Sequence, residues 1–227
     1  MTEQRYVSAL AYRSLTALYD PVVRFTSRES RFKTALLQQA ELSAGQRVLD
    51  LACGTATLTL LAKQLQPQAE FVGVDGDPQM LDRARRKAVV AGVTMQFDES
   101  LSHQLPYADA SFDRVLSSLF FHHLNRANKL STLREVRRVL KPDGELHVAD
   151  WGKAANGLMH TVFYGVQLLD GFANTADNVT GQLPKLMLEA GFIQARETKR
   201  FATALGTLSL YRARPTGVFD SGAGSTV

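Results

Sequence analysis

The stretch Arg47-Val-Leu-Asp-Leu-Ala-Cys-Gly-Thr-Ala56, followed by Phe71-Val-Gly-Val-Asp75, constrains this chain more than any other. An apolar run ends in an acid, passes through small residues and enters a helix-patterned segment. A second apolar run then ends in a second acid. A buried strand, a tight turn and a helix N-terminus build a parallel sheet with a crevice at the strands' carboxyl ends. The acid that closes the strand after the turn suits a ribose diol. The implied ligand therefore carries a nucleoside.

At 227 residues the chain fits one α/β domain with a large core. A hydrophobic content of 45% and a charged content of 21% place it among globular chains. No apolar run approaches the roughly 18 residues of a membrane span. Met1-Thr-Glu-Gln-Arg5 lacks the apolar segment of a signal peptide. Cys53 is the single cysteine, so no intrachain disulfide can form, and the reducing cytoplasm is the expected location. The net charge is +4, with basic residues grouped at Arg83, Arg85, Arg86 and Lys87 and at Arg134, Arg137, Arg138 and Lys141. Such groups read first as solvated helix faces. No aromatic residues interleave with them, which disfavours a nucleic-acid surface.

Residues 5–40 pattern as two helices with a break at Tyr19-Asp-Pro-Val22, because proline disfavours helix at Asp20. Residues 1–40 are expected to form a helical lid, 41–214 the main domain and 215–227 a disordered tail. Strands are expected over 47–51, 70–75, 93–97, 114–120 and 145–150. Leu58, Leu61, Ala62 and Leu65 recur on one helix face, which Pro67 ends. Asp77-Pro78 supplies an N-cap and a first-turn proline. Leu81, Ala84 and Ala88 line the inner face behind it, and Gly92 closes the helix. Leu130, Leu133, Val136 and Leu140 mark a further helix. Lys141-Pro-Asp-Gly144 reads as a turn whose glycine takes a positive φ. Beyond Trp151 the pattern gives a helix over about 156–172, another over 184–190, and an antiparallel pair at 197–201 and 207–213. Alternating strands and helices imply a doubly wound sheet with right-handed crossovers.

The turn at 52–56 narrows the ligand. It contains neither G-x-G-x-x-G nor G-x-x-x-x-G-K-[ST], so it is neither a dinucleotide loop nor a P-loop. Gly54 lets the backbone turn sharply, and Thr55 offers a hydroxyl and an amide. The helix N-terminus behind them suits a carboxylate or a phosphate. Asp50 would repel a pyrophosphate and welcome an ammonium. A ligand with a carboxylate, an amine and an adenosine is S-adenosyl-L-methionine.

With these motifs in view, the chain resembles a class I S-adenosylmethionine-dependent methyltransferase. It is most similar to the branch of the ubiquinone/menaquinone biosynthesis C-methyltransferases. The resemblance spans about 45–150 and rests on VLDLACGTA at 48–56, VGVDGDPQML at 72–81, LPYADASFD at 105–113 and LREVRRVLKPDGEL at 133–146. It implies a Rossmann-like seven-stranded sheet of order 3-2-1-4-5-7-6 with strand 7 antiparallel, and S-adenosyl-L-homocysteine as product. It implies that Asp50, Ala52, Gly54 and Thr55 surround the methionine part of the cofactor and that Asp75 takes both ribose hydroxyls. Gly76 and Met80 would approach the adenosine, Leu101 and Ser102 would flank adenine, and Ser118 would lie beside the sulfonium. The family loop reads D-x-G-x-G-x-G, and this chain has Ala52 and Ala56 at two of its glycines. Alanine tolerates strand and helix conformations, so binding is expected to persist. Leu101 stands where the family has an acid, so adenine would be held by backbone amides, by apolar contact, or by nearby Asp98 or Glu99.

Phe120-Phe121-His122-His123-Leu124 follows the fourth strand, where the family opens toward its substrate. His122 or His123 could serve as a general base, since imidazole titrates near neutrality; the alternative is that they shape the loop. Adjacent histidines without an acidic partner nearby do not make a metal site. Cys53 reads as a loop filler rather than a nucleophile. Asp150 and Trp151 lie at the site's mouth, and Tyr6, Tyr12, Tyr19 and Phe25 populate the lid. Met159, His160, Phe163, Tyr164 and Phe172 would complete an apolar pocket. The expected partner is a small, partly apolar or aromatic methyl acceptor. The competing readings are a silent cofactor-binding relative, an NAD(P)-dependent oxidoreductase and a nucleic-acid methyltransferase. The sequence leaves the oligomeric state open, a dimer among the options.

Overall fold

A computed structural model of the chain describes residues 29–153, 172–203 and 206–215. The lid expectation for residues before 29, the helix expected over about 156–172 short of its last residue, and the tail after 215 lie outside these. So do Tyr6, Tyr12, Tyr19, Phe25, Met159, His160, Phe163 and Tyr164, and the Phe172 side chain.

The elements run in the order α1 (Glu29–Ala40), β1 (Arg47–Leu51), α2 (Thr57–Leu65), β2 (Glu70–Asp75), α3 (Pro78–Val90), β3 (Gln96–Glu99) and β4 (Phe112–Ser118). A short 3₁₀ turn (Phe121–His123), α4 (Arg126–Val139), β5 (Leu140–Trp151), α5 (Phe172–Val179), α6 (Leu183–Glu189), β6 (Ile193–Thr203) and β7 (Gly206–Arg214) follow. The strands form one seven-stranded sheet, ordered β3-β2-β1-β4-β5-β7-β6. β1 to β5 pair in parallel, while β7 runs antiparallel to both β5 and β6. The expected order and orientation are those observed.

The strands are apolar on both faces because helices cover both. Val48 and Leu116 pack under α1 and α2 with Phe32, Leu36, Leu58 and Ala62. Leu49, Leu51 and Val115 face the other way, toward Leu133 and Val136 of α4 and Leu186 of α6. Leu81, Ala84 and Ala88 of α3 bury against Cys53, Ala56 and Phe97. At the amino end of β5, buried Glu145 gathers Arg212, Arg214 and His147, and the Gln39 amide from α1 reaches His147 Nδ1 at 3.1 Å. That cluster ties α1 to the antiparallel edge, away from the crevice. No helix among the described residues is long and apolar enough to cross a membrane.

Several boundaries differ from the sequence expectation. β3 starts at Gln96 rather than Val93, because Val93 instead folds back to bond the Ala88 carbonyl and finish the α3 terminus. β4 covers 112–118 rather than 114–120, and Leu119 breaks it with a φ of 56°. Leu65, expected on the buried face of α2, is 58% exposed, and Thr59 is buried instead. Leu140 begins β5, and Lys141 to Gly144 bulge opposite Asp113. Gly144 does not take a positive φ. Its hydrogen is needed because a Cβ there would stand 3.1 Å from the Asp113 carbonyl and 3.0 Å from Leu140.

Candidate active site

β1 and β2 deliver Asp50 and Asp75 to the carboxyl edge of the sheet, in adjacent parallel strands. Between them the chain makes an unusual turn: Ala52, Gly54 and Ala56 all lie in the left-handed region, at φ 55°, 54° and 58°. Those are the three positions at which the family pattern has glycine. The expectation that the alanines would sit in ordinary strand and helix conformations is therefore incorrect, and both carry left-handed strain. The turn is held by Cys53 N–H to the Val74 carbonyl at 3.0 Å and by Gly54 N–H to Asp75 Oδ2 at 2.8 Å. Gly73 makes room for it, since a Cβ there would lie 2.9 Å from Cys53 Sγ and 2.8 Å from the Phe97 ring. Burial drives the Cys53 thiol far above its ordinary pKa, so it is an inert filler.

Asp50 is buried, and the Thr59 hydroxyl donates to its Oδ2 at 2.6 Å. Burial pushes its carboxyl up to about 6, against the Thr59 hydrogen bond and the nearby Lys33 charge. A desolvated carboxyl of this kind gains from an incoming cation. Asp75 is half-buried and accepts from two backbone amides, Gly54 to Oδ2 and Asp77 at 2.9 Å to Oδ1. Burial raises its pKa and those amides oppose the rise. Each oxygen retains acceptor capacity for a hydroxyl. Asp77 caps α3 through the Gln79 amide, as its sequence implied.

The remaining cofactor candidates fall around this edge in different ways. Gly76 and Met80 are half-buried beside Asp75. Ser100 N–H bonds the Asp75 carbonyl at 3.1 Å, which brings the following loop to the edge, with Leu101 40% exposed on it. The Ser102 hydroxyl is paired with Thr132 Oγ1 of α4 at 2.8 Å. Lys87 Nζ lies 2.6 Å from the Thr55 hydroxyl. Ser118 Oγ, at the end of β4, is buried and has no hydrogen-bond partner among the described residues. Such an orphan asks for a ligand group.

Beyond Leu119 the 3₁₀ turn places His122 and His123 ring to ring, centroids 3.9 Å apart. His122 Nδ1 lies 2.6 Å from Asp150 Oδ1, and both side chains are buried. Burial, and the charge of His122, push the His123 imidazole down to about 3. It stays neutral at neutral pH and is a weak base, contrary to the expectation of a group titrating near neutrality. Trp151 stands at the end of β5, 6.4 Å from the His122 ring. Sequence reasoning missed Thr59, Gly73 and the pairing of His122 with Asp150. Only the polar Thr59 within the apolar face of α2 left a trace.

These residues fit S-adenosylmethionine: two strand-end carboxyls, a left-handed turn before a helix whose N-cap makes no side-chain hydrogen bond, and a buried hydroxyl with no partner among the described residues. Comparison with known proteins agrees. A family model described as a methyltransferase domain matches residues 48–144. A demethylmenaquinone methyltransferase of Deinococcus radiodurans is 33% identical over 91% of this chain and 87% of its own length. One of Thermus thermophilus is 36% identical over 67% of this chain and 71% of its own. The crystal structure of a SAM-dependent methyltransferase from Aquifex aeolicus superposes with a TM-score of 0.59 at 19% identity, over 80% of this chain and 89% of that one.

Proposed function

The chain belongs to the class I S-adenosylmethionine-dependent methyltransferases, near the ubiquinone/menaquinone branch, and on that premise we propose that its acceptor is a small, partly apolar or aromatic molecule, methylated on oxygen, nitrogen or carbon. S-adenosylmethionine is its methyl donor. When bound, it supplies an electrophilic methyl on a sulfonium that leaves as S-adenosylhomocysteine. The reading of the cofactor side is carried by one observation: Asp50 and Asp75 end neighbouring strands, with the left-handed turn between them. In this reading Asp50 meets the ammonium and Asp75 the ribose diol. Ala52, Gly54 and Thr55 border the methionine part, Gly76, Met80, Leu101 and Ser102 border the adenosine, and Ser118 lies toward the sulfonium.

The acceptor is the finer part of the reading. The ends of β4 and β5 bring together the rings of His122, His123 and Trp151, a wall suited to a flat, largely apolar molecule. The relatives named for demethylmenaquinone point to the same class. Much of the rate of such a transfer comes from positioning and exclusion of water. Of the two histidines, His122 is the one we assign to the acceptor's proton, because His123 is held too weak a base. The enzyme works in the cytoplasm in this account and uses no metal. The test is incubation with methyl-labelled S-adenosylmethionine and a panel of quinols, phenols, amines and structured RNA, read by mass spectrometry. Label on a quinol or phenol is expected. Label on RNA alone would overturn the acceptor class.

A further inference from the structure

α1 buries a lysine. Lys33 lies one turn into the helix, between the core residues Phe32 and Leu36, and its side chain is only 11% exposed. An ammonium is expensive to desolvate and is kept in such a place only by a partner. Here the partner is Glu29 of the same helix, and among the described residues the ammonium bonds no other group. α1 is oriented by its far end, where the Ala40 carbonyl accepts from Arg114 Nε, near the amino end of β4, at 3.0 Å. Its first turns therefore lie toward the carboxyl edge of the sheet, where β1 delivers Asp50.

Asp50 faces this lysine. It stands two residues after Val48, so its side chain leaves β1 on the face that α1 and α2 cover. Thr59 of α2 takes Oδ2 from one side, and the Lys33 charge reaches the carboxyl from α1. Yet no oxygen of Asp50 comes within 4.0 Å of Lys33 Nζ, so two buried groups of opposite charge face one another without an ion pair. Buried opposite charges gain most by closing onto each other. A gap between them fits a ligand that carries both signs.

We infer that Lys33 is the cation that receives the carboxylate of the cofactor's methionine part while Asp50 receives its ammonium, so that an α-amino acid bridges α1 and β1. This deepens the S-adenosylmethionine reading and rests on it. The two charged groups of an α-amino acid share one carbon. A site that binds the ammonium must therefore meet the carboxylate a few ångströms away. The amides at the start of α2 offer dipoles to it, and Lys33 offers a full charge. On binding, the Lys33 ammonium turns from Glu29 to the ligand carboxylate. The consequence is specificity: the site selects the intact amino acid and discriminates against a decarboxylated cofactor, which would leave the buried lysine without its ligand partner.

Calorimetry on the full chain at pH 8, above the Asp50 value of about 6, tests this with two ligands. One is S-adenosylhomocysteine. The other is S-adenosyl-3-thiopropylamine, which keeps the ammonium and lacks the carboxylate. Wild type should bind the amine about tenfold to a hundredfold more weakly, the range of a hydrogen bond to a charged group. K33M keeps the reach of the side chain and drops its charge. It should lose a similar factor for S-adenosylhomocysteine and bind the amine no more weakly than wild type does. K33R, which keeps the charge, should stay closer to wild type than K33M. A K33M protein that binds S-adenosylhomocysteine as wild type does, or that is weakened equally for both ligands, assigns Lys33 a packing role and overturns the inference. Wild type that binds the two ligands equally overturns it without any variant. Wild type that binds neither ligand would sink the S-adenosylmethionine reading itself.

Discussion

The Gly54 amide donates to Asp75 Oδ2 at 2.8 Å, so the acid we assign to the ribose also holds the turn after β1 in place. A second amide, from Asp77, occupies Oδ1. Asp75→Ala should therefore do two things. It should weaken S-adenosylhomocysteine binding by about 1.5–3 kcal/mol, the scale of charged hydrogen bonds to the diol, and it should lower the free energy of unfolding. Asp75→Asn should not rescue it, because one amide would face the new NH₂ donor. Calorimetry and urea denaturation read the two effects separately. Unchanged affinity would refute the ribose role.

Ala52 and Ala56 are strained in the same way but packed differently. Left-handed backbone costs a non-glycine residue about 1–2 kcal/mol. Glycine recovers this while losing about 0.4–1 kcal/mol through the unfolded chain. Ala52 is half-buried, so Ala52→Gly should stabilise the protein by roughly 0.5–1 kcal/mol in urea denaturation on these figures. Ala56 is fully buried against Leu81 and Ala84, and its methyl contacts offset the gain. Ala56→Gly should be close to neutral. Gly54→Ala runs the other way. A Cβ there meets nothing within 4 Å, so its cost is conformational alone, about 0.5–1 kcal/mol net on the same figures.

The elements that obey local rules were legible before any coordinates. β1 and β2 follow from apolar runs ending in acids, and the start of α3 from Asp77-Pro78. The acids Asp50 and Asp75 were legible for the same reason, since position at a strand end is a local property. What escaped was tertiary. Thr59 meets Asp50 only because α2 folds back over β1, and Asp150 meets His122 across 28 residues of chain. The strain at Ala52 and Ala56 escaped because sequence pattern does not report φ. The boundary errors at β3 and β4 have a related cause: a backbone hydrogen bond to Ala88 claims Val93 for the end of α3, and Leu119 leaves the strand at a left-handed φ of 56°.

If Asp50 meets the ammonium as proposed, its carboxyl, pushed up to about 6, should make cofactor affinity depend on pH. Only the ionised form attracts the ammonium. Affinity for S-adenosylhomocysteine should be flat above neutrality and fall by about tenfold from pH 7 to pH 5, one proton being displaced per ligand at the acid end. Asp50→Asn should bind weakly with no such slope. The same residue costs stability. Its folded pKa exceeds the unfolded value of 3.8, so the folded state holds the extra proton and stability declines as pH rises from about 4 through 6. At pH 8 the unliganded Asp50→Asn protein should therefore resist urea better than wild type, by up to about 3 kcal/mol, taking about 1.4 kcal/mol per pKa unit. A variant that is less stable at pH 8 would contradict the burial penalty.

His123 works in the opposite sense. Its pKa of about 3 in the folded protein lies below the ordinary 6.5, so the unfolded chain binds a proton that the native state refuses. Its contribution to stability is full above pH 6.5 and is lost progressively as pH falls toward 3. Across that window it opposes Asp50, which gains stability as pH falls through 6. His123→Gln removes the acid-labile part, so the variant's unfolding free energy should decline less steeply than wild type's between pH 6.5 and 4.5. The ring also lies tilted against that of His122, centroids 3.9 Å apart, and its loss should cost packing at every pH. The expected signature is a variant less stable at pH 7.5 whose deficit narrows toward pH 4.5. Parallel pH curves for the two proteins would show that His123 is not buried neutral.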